Sequence, residues 1–337
     1  VAGNTVFIKA GTYTCHSTAN TAGGRISDAS TGTAAAPNFW SGWNTIRTVT
    51  GTEAVFPLLN AISNSMNVLS VSGATTYVRN IAVGKNASET AVAGFFINGQ
   101  HSVIENFSAA SIATALSFGA AAVNNLAING LSNACASGFE HLATVGGNKC
   151  VGCVAKTFTD FGFSVAGYND VLSHCIAFGG TGGSADGFRA TANGPLMINC
   201  TAYGNGRHGF SLGGAAGFRG RFLINCASTG NSGKQFHQEI STELAHRLIN
   251  CAFKADGTGT DDVNVVQKTN CITLTDNPFT NEVGGDFAPN NREFGGELIK
   301  EVGFPTAFQG TVTNNYKDVG AVQHACNIVA IAVTALY

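Results

Sequence analysis

Residues 221–227 read Arg-Phe-Leu-Ile-Asn-Cys-Ala, and residues 247–253 read Arg-Leu-Ile-Asn-Cys-Ala-Phe. Each is a short apolar run that ends on an asparagine followed by a small, inward-suited residue. The same Asn-hydrophobic pair recurs at Asn106-Phe107, Asn125-Leu126, Asn199-Cys200, Asn225-Cys226, Asn250-Cys251 and Asn270-Cys271, with Gly152-Cys153 and His174-Cys175 filling the gaps. Counted from Phe107, the steps are 19, 27, 22, 25, 26, 25 and 20 residues. A second marker, a small residue followed by phenylalanine, falls at Phe95, Phe118, Phe139, Phe163, Phe188, Phe210 and, more weakly, Phe236. Its steps are 23, 21, 24, 25, 22 and 26, so two independent markers share one repeat length.

A period in the low twenties suits a leucine-rich repeat or a parallel β-helix, and the spaced leucines of the former are missing. The runs are rich in Ile, Leu, Val and Phe and are broken by Gly, Asn and Ser, which predicts strands of about four residues. A coil holds three such strands, each pairing with its equivalent one turn on, with rungs about 4.8 Å apart. The predicted fold is all-β: a single-stranded parallel β-helix with coils of about 22–26 residues and capping segments at both ends. One continuous solenoid is expected, with N-terminal coils and a long-looped cap over 1–85, regular coils over 86–275 and a closing segment over 276–337.

Stacking accounts for the composition. Only 11% of the 337 residues are charged, 18 basic and 20 acidic, against roughly 25% in ordinary soluble domains. A charge repeated at one coil position would stack like charges at rung spacing. With 44% hydrophobic residues the chain is too apolar for disorder. A net charge of −2 without basic clusters argues against nucleic acid. The apolar stretches fall short of the roughly 18 residues that span a bilayer, so no membrane span is expected. The chain opens at Val1 with structure-like sequence, which suggests a segment upstream that was removed or is not included.

Asparagine fits a corner with φ > 0, where its amide can bond its stacked neighbour. The cysteine after it turns inward beside its equivalents. Of ten cysteines, Cys153, Cys175, Cys200, Cys226, Cys251 and Cys271 recur once per coil. Straight-stacked side chains seldom meet disulfide geometry, so free buried thiols are expected. Cys150-x-x-Cys153 lacks the further ligands of a zinc site.

The stretches Ala2–Tyr13, Ala185-Asp186-Gly187-Phe188, Asn199-Cys200-Thr201-Ala202-Tyr203-Gly204-Asn205-Gly206 and Gly209-Phe210 resemble the right-handed parallel β-helix proteins of the pectate-lyase-like superfamily. The resemblance implies a right-handed solenoid and, through its secreted polysaccharide lyases, a calcium-binding aspartate cluster with a lysine base. Here the pattern departs: Arg207-His208-Gly209 stands where such lyases carry paired aspartates, and no lysine follows at a matching place. Asn277-Pro278-Phe279, Gly285-Asp286-Phe287 and Asp318-Val319-Gly320-Ala321-Val322-Gln323 resemble the closing segment of β-helix proteins of phage particles and bacterial surfaces. The scaffold hosts lyases, hydrolases, adhesins and viral spikes, so it does not by itself name a function.

If the phenylalanines point in, strand alternation turns Ser164, Arg189, Ser211 and His237 out along one face. Asp160, Asp186, Arg207 and His208 lie just before them. This strip could bind a sugar chain and support acid–base work; alternatively, Asp186 only pairs with Arg189 or Arg207 across rungs. No catalytic residue is assigned beyond these candidates. Trp40 and Trp43 could stack on sugars or pack in a cap. Asp256, Asp261 and Asp262, in a glycine-rich loop, offer oxygens to calcium, but their spacing does not match an EF-hand, so a solvated turn is expected and no cofactor is assigned. His174 replaces asparagine at a corner, where a hydrogen bond is the simpler role. Asn86-Ala87-Ser88, Asn106-Phe107-Ser108 and Asn199-Cys200-Thr201 match glycosylation acceptors, the latter two inside the ladder.

Ala325–Tyr337 is nearly all apolar and must be covered, which predicts that it adds a strand to a neighbouring subunit or to this chain's own sheet. Two functions follow. The first is a structural component of a larger assembly, a phage spike, fibre or decoration subunit touching host glycans. The second is a secreted polysaccharide lyase or glycoside hydrolase acting on an acidic polysaccharide. Both place the chain on a virion, on a cell surface or outside the cell.

Overall fold

The computed structural model describes residues 5–9, 12–15, 26–28, 38–43, 58–61, 67–85, 93–142, 146–191, 194–213, 221–238, 246–254, 266–293 and 296–299. Trp40, Trp43 and the other residues before 67 are described in backbone only. Asn86-Ala87-Ser88, Asp256, Asp261, Asp262 and Ala325–Tyr337 lie outside the described residues.

The described chain is a parallel β-solenoid. A narrow sheet of nine strands stacks in chain order from Ile26–Asp28 to Phe236–Gln238, each strand parallel to the one a coil later. A broad sheet of nineteen strands takes the other sides of the coils. It bends along one line, where a coil passes between two strands such as Lys149–Val151 and Val154–Lys156. The bend needs a left-handed backbone, and Asn80, Asn106, Asn129, Gly152, His174, Asn199, Asn225, Asn250 and Asn270 supply it with φ between 50° and 63°.

This corner departs from the predicted ladder at one rung. Asn129-Gly130, not Asn125-Leu126, continues it. The Phe107 ring spreads over that rung, and a Cβ on Gly130 would meet it at 2.3 Å. Only glycine fits inward there, so the Asn-hydrophobic pattern is broken. Leu126 instead starts a strand and pairs with Lys149. Asn125 belongs to a second polar ladder, in which Ser102 N–H donates to Asn125 Oδ1, Asn125 N–H to Asn148 Oδ1 and Asn148 N–H to Asp170 Oδ1 at 2.8, 3.0 and 2.7 Å.

Inside, the phenylalanines of the narrow sheet stack face to face. Phe139, Phe163, Phe188, Phe210 and Phe236 are register partners with centroids 4.7 to 5.2 Å apart. Phe118 is not among them: Leu116 occupies that rung, and Phe118 pairs with His141 two residues on. The residue before Phe139, Phe163, Phe188 and Phe210 is glycine because it too points inward; Gln235 before Phe236 is the exception. A Cβ on Gly138 would come within 2.2 Å of Gly162 O, and one on Gly162 within 2.7 Å of Ala177 Cβ. A row of thiols also runs inside, just past the corner. Cys153, Cys175, Cys200, Cys226 and Cys251 are free and 0% exposed.

Strands over residues 5–61 continue the same parallel register, Thr5–Lys9 on Asn38–Trp43 and Thr12–Cys15 on Leu58–Ala61. The closing segment forms an antiparallel pair, Phe279–Asn281 with Asp286–Pro289. It lies along the flank of the broad sheet, where the Phe287 ring meets Phe178 and Tyr203 edge-on at 5.1 and 6.0 Å. Apolar residues on that outer face thereby gain cover that stacking alone does not give.

Candidate functional site

Two consecutive inward residues per coil shift the alternation, so the narrow sheet carries two outward rows, in which Glu140, Ser164, Arg189 and His237 are half-buried while Ser70, Ser117, Ser211 and Asp186 are covered. One row runs Ser70, Phe96, Ser117, Glu140, Ser164, Arg189, Ser211 and His237, each the register partner of the next. The other includes Thr114, Ser137, Phe161 and Asp186. The four residues named from alternation, Ser164, Arg189, Ser211 and His237, thus come together on adjacent rungs, and Asp160, Asp186, Arg207 and His208 border them. Glu140 is an addition. It follows Phe139 as Ser164 follows Phe163, so the rule that named Ser164 also reaches it.

Arg189 stands in its row between two serines, Ser164 and Ser211. Its Nε is buried and has no hydrogen-bond partner among the described residues. Such an orphaned donor is costly unless a ligand satisfies it. Asp186 is only 1% exposed. Its Oδ1 accepts Arg207 Nε at 2.8 Å and His208 N–H at 3.2 Å. Burial raises its carboxyl pKa and Arg207 opposes the rise. Asp186 is thereby covered and holds the Arg207 guanidinium beside it.

His208 Nδ1 accepts the Lys234 N–H at 3.0 Å, which leaves the proton of the neutral ring on Nε2. The ring stacks on His237 at 4.0 Å. Burial first, then His237, Arg207 and Lys234, hold its pKa down to about 3. At neutral pH His208 is a fixed, uncharged donor. Glu140 lies two rungs from Arg189. Burial raises its pKa, Thr114 Oγ1 donates to it at 3.3 Å and opposes the rise, and exposed Asp160 adds to it. A carboxyl that burial keeps in its protonated form beside a second, exposed carboxylate is an arrangement general acid chemistry can use.

Sequence reasoning also missed a buried Cys–His–Asp group. His141 Nδ1 lies 2.9 Å from Asp170 Oδ2, and its Nε2 lies 3.2 Å from Cys150 Sγ. Their exposures are 1%, 0% and 0%. No substrate reaches them, and they serve as a hydrogen-bonded network that satisfies a buried carboxylate. Among the described residues no group of three or more His, Cys, Asp and Glu is arranged to hold a metal ion.

No protein-family model and no curated protein sequence matches the chain. Similar folds occur among solved structures. Pectate lyase Pel9A superposes with a TM-score of 0.66 at 18% identity, over 96% of this chain and 88% of that one. A rhamnogalacturonan lyase gives 0.64 at 16%, over 80% of each chain. The A-module of the Azotobacter vinelandii mannuronan C-5 epimerase AlgE6 gives 0.58 at 10%, over 81% and 91%. At these identities the likeness establishes architecture alone. The chain has the right-handed parallel β-helix fold of pectate lyase and its structural relatives.

Proposed function

We propose that the chain is an enzyme that cleaves an acidic polysaccharide laid across the outward rows of the narrow sheet. The observation that carries this reading is the Nε of Arg189, which has no hydrogen-bond partner among the described residues and lies between Ser164 and Ser211 in the register. A guanidinium presents a planar fork matched to a carboxylate, as a uronate sugar carries. Short, half-buried Ser164 on one side leaves room for a chain beside the guanidinium, while Ser211 on the other side is covered. Arg207, held by Asp186, gives a second cationic contact. Glu140 and Asp160 supply a carboxyl pair in which Glu140, with its raised pKa, is the proton donor to a leaving sugar oxygen. Phe96 in the same row offers an aromatic face for a sugar ring. Such an enzyme acts where its polymer is, outside a cell or at its surface.

The reaction class is lyase or glycoside hydrolase. The structures of similar fold named above process polysaccharides, which favours this reading over a phage component; none of the three is a virion protein. The test is incubation with a panel of polyuronates, reading reducing ends and the ultraviolet absorbance of unsaturated sugars. Reducing ends with absorbance indicate elimination, and reducing ends without it indicate hydrolysis. No product from any member overturns the proposal.

A further inference from the structure

The narrow sheet runs one residue further than its strands. Asn98 N–H donates to Val71 O, Gly119 N–H to Ile97 O, Leu142 N–H to Phe118 O and Ala166 N–H to His141 O, at 2.7, 2.8, 2.8 and 2.9 Å. These four residues therefore stand on successive rungs. His141 and Val165 before them are buried, and alternation turns Leu142 and Ala166 out. A third outward row thus flanks the row that holds Glu140 and Arg189. Leu142 is 48% exposed and stands two residues beyond Glu140 on the same face.

Phe96 completes this flank. It lies two rungs before Glu140 in the register, with Ser117 between. Its side chain leans over the neighbouring rung, because a Cβ on Gly119 would meet Phe96 Cζ at 2.7 Å and Asn98 Oδ1 at 2.4 Å. The ring takes the place that a side chain at 119 would need, one rung from Leu142. Ring and leucine together border Glu140 with apolar surface. No lysine or arginine stands at a described outward position of the narrow sheet from Asn67 to Leu142, whereas Arg189 stands two rungs past Glu140. The face is divided at Glu140 into an apolar side and a cationic side.

A uronate laid on the apolar side would lose water from its carboxylate with no cation to receive it. A neutral sugar meets no such cost, and a methyl group on it gains contact with Phe96 and Leu142. We propose that the polysaccharide is a mixed one, with a uronate at Arg189 and, on the side of Glu140 bordered by Phe96 and Leu142, a neutral sugar that carries a methyl group. The inference rests on the polysaccharide reading above and narrows its substrate. A 6-deoxy carbon, an O-acetyl group or an O-methyl group each supplies the methyl.

The test compares kcat/KM on a uronate homopolymer with that on polymers mixing uronate with a neutral sugar, in separate unsubstituted, 6-deoxy, O-acetylated and O-methylated arms. At least one methyl-bearing arm is expected to exceed the homopolymer by about tenfold and the unsubstituted arm by about threefold. Leu142→Lys keeps an aliphatic stem and supplies the missing cation, so it is expected to cut the preference over the homopolymer by about tenfold. Leu131→Lys, at a 37% exposed leucine of the broad sheet, should keep the wild-type ratio. A homopolymer or unsubstituted polymer cleaved as fast as every methyl-bearing one, or an unchanged ratio in Leu142→Lys, overturns the inference and leaves the enzyme reading standing. No cleavage in any arm overturns both. Should Leu142→Lys fail to fold, the wild-type preference decides.

Discussion

Asp186 Oδ1 accepts both Arg207 Nε and the His208 backbone N–H, so one nearly buried oxygen sets the start of the following coil's polar strip. Asp186→Asn keeps the shape and removes the charge. The lost hydrogen bond to a charged group is offset because burial outweighs Arg207 in raising the Asp186 carboxyl and Arg207 is 33% exposed, so stability is expected to change by less than about 1 kcal/mol. Calorimetry measures it. Glycan affinity is expected to fall further than stability, because Arg207 loses its anchor.

His174 makes the corner acid-sensitive. It sits at φ 55° where other rungs use asparagine. Its Nε2 accepts from Asn199 Nδ2 at 3.0 Å, and its Nδ1 lies 2.8 Å from Ser173 Oγ. Burial lowers its pKa to about 4. The unfolded chain takes the proton first, so this stability is present above the unfolded value of about 6.5 and is lost as pH falls through the folded value. The loss is on the order of 3 kcal/mol by the low end of that window. His174→Asn is expected to flatten the fall in stability between these limits, as followed by urea unfolding at several pH values. An unchanged slope would contradict it.

Gly138 and Gly183 separate packing from mere glycine content. A Cβ at Gly138 meets the backbone oxygen of Gly162 at 2.2 Å, whereas one at Gly183 meets nothing within 4 Å. Gly138→Ala is expected to cost about 1–3 kcal/mol, and Gly183→Ala to stay within about 0.5 kcal/mol of wild type. Equal effects in thermal melts would refute the two-inward-residue reading of the narrow sheet.

The repeat was legible because its markers obey the coil's physics: asparagine at a left-handed corner, cysteine just inside it, a small residue before phenylalanine. It failed where neighbours compensate. Phe107 forces Gly130 and hides a rung, and Leu116 takes the place that the small-residue–phenylalanine spacing assigns to Phe118. On the outer face, alternation located Ser164, Arg189, Ser211 and His237. It could not tell that Asp186 is covered, since burial there depends on Arg207 from the next coil. The Cys150–His141–Asp170 network was out of reach, because no local pattern links residues that meet only across the coil.

Glu140 should trade stability for chemistry. Its folded pKa is raised, chiefly by burial, so its protonated form is the favoured one and the carboxylate at neutral pH is a burden. That contribution is present below the unfolded pKa and is lost as pH rises through the folded one. Glu140→Gln is therefore expected to raise the neutral-pH Tm by about 1–2 °C and to flatten the Tm rise that wild type shows on mild acidification. Product release should fall by about a hundredfold or more if Glu140 is the proton donor. A lower Tm with full activity would remove it from that role.

Arg189 carries the central claim, and a side-by-side comparison of Arg189→Ala with Lys156→Ala tests it most directly. Lys156 lies on the outer face of the broad sheet and loses the same unit of charge. With an acidic polysaccharide that the wild type cleaves, Arg189→Ala is expected to lose cleavage by about a hundredfold or more at unchanged Tm. Lys156→Ala should match the wild type. Full activity in Arg189→Ala, or equal losses in both variants, would contradict the account.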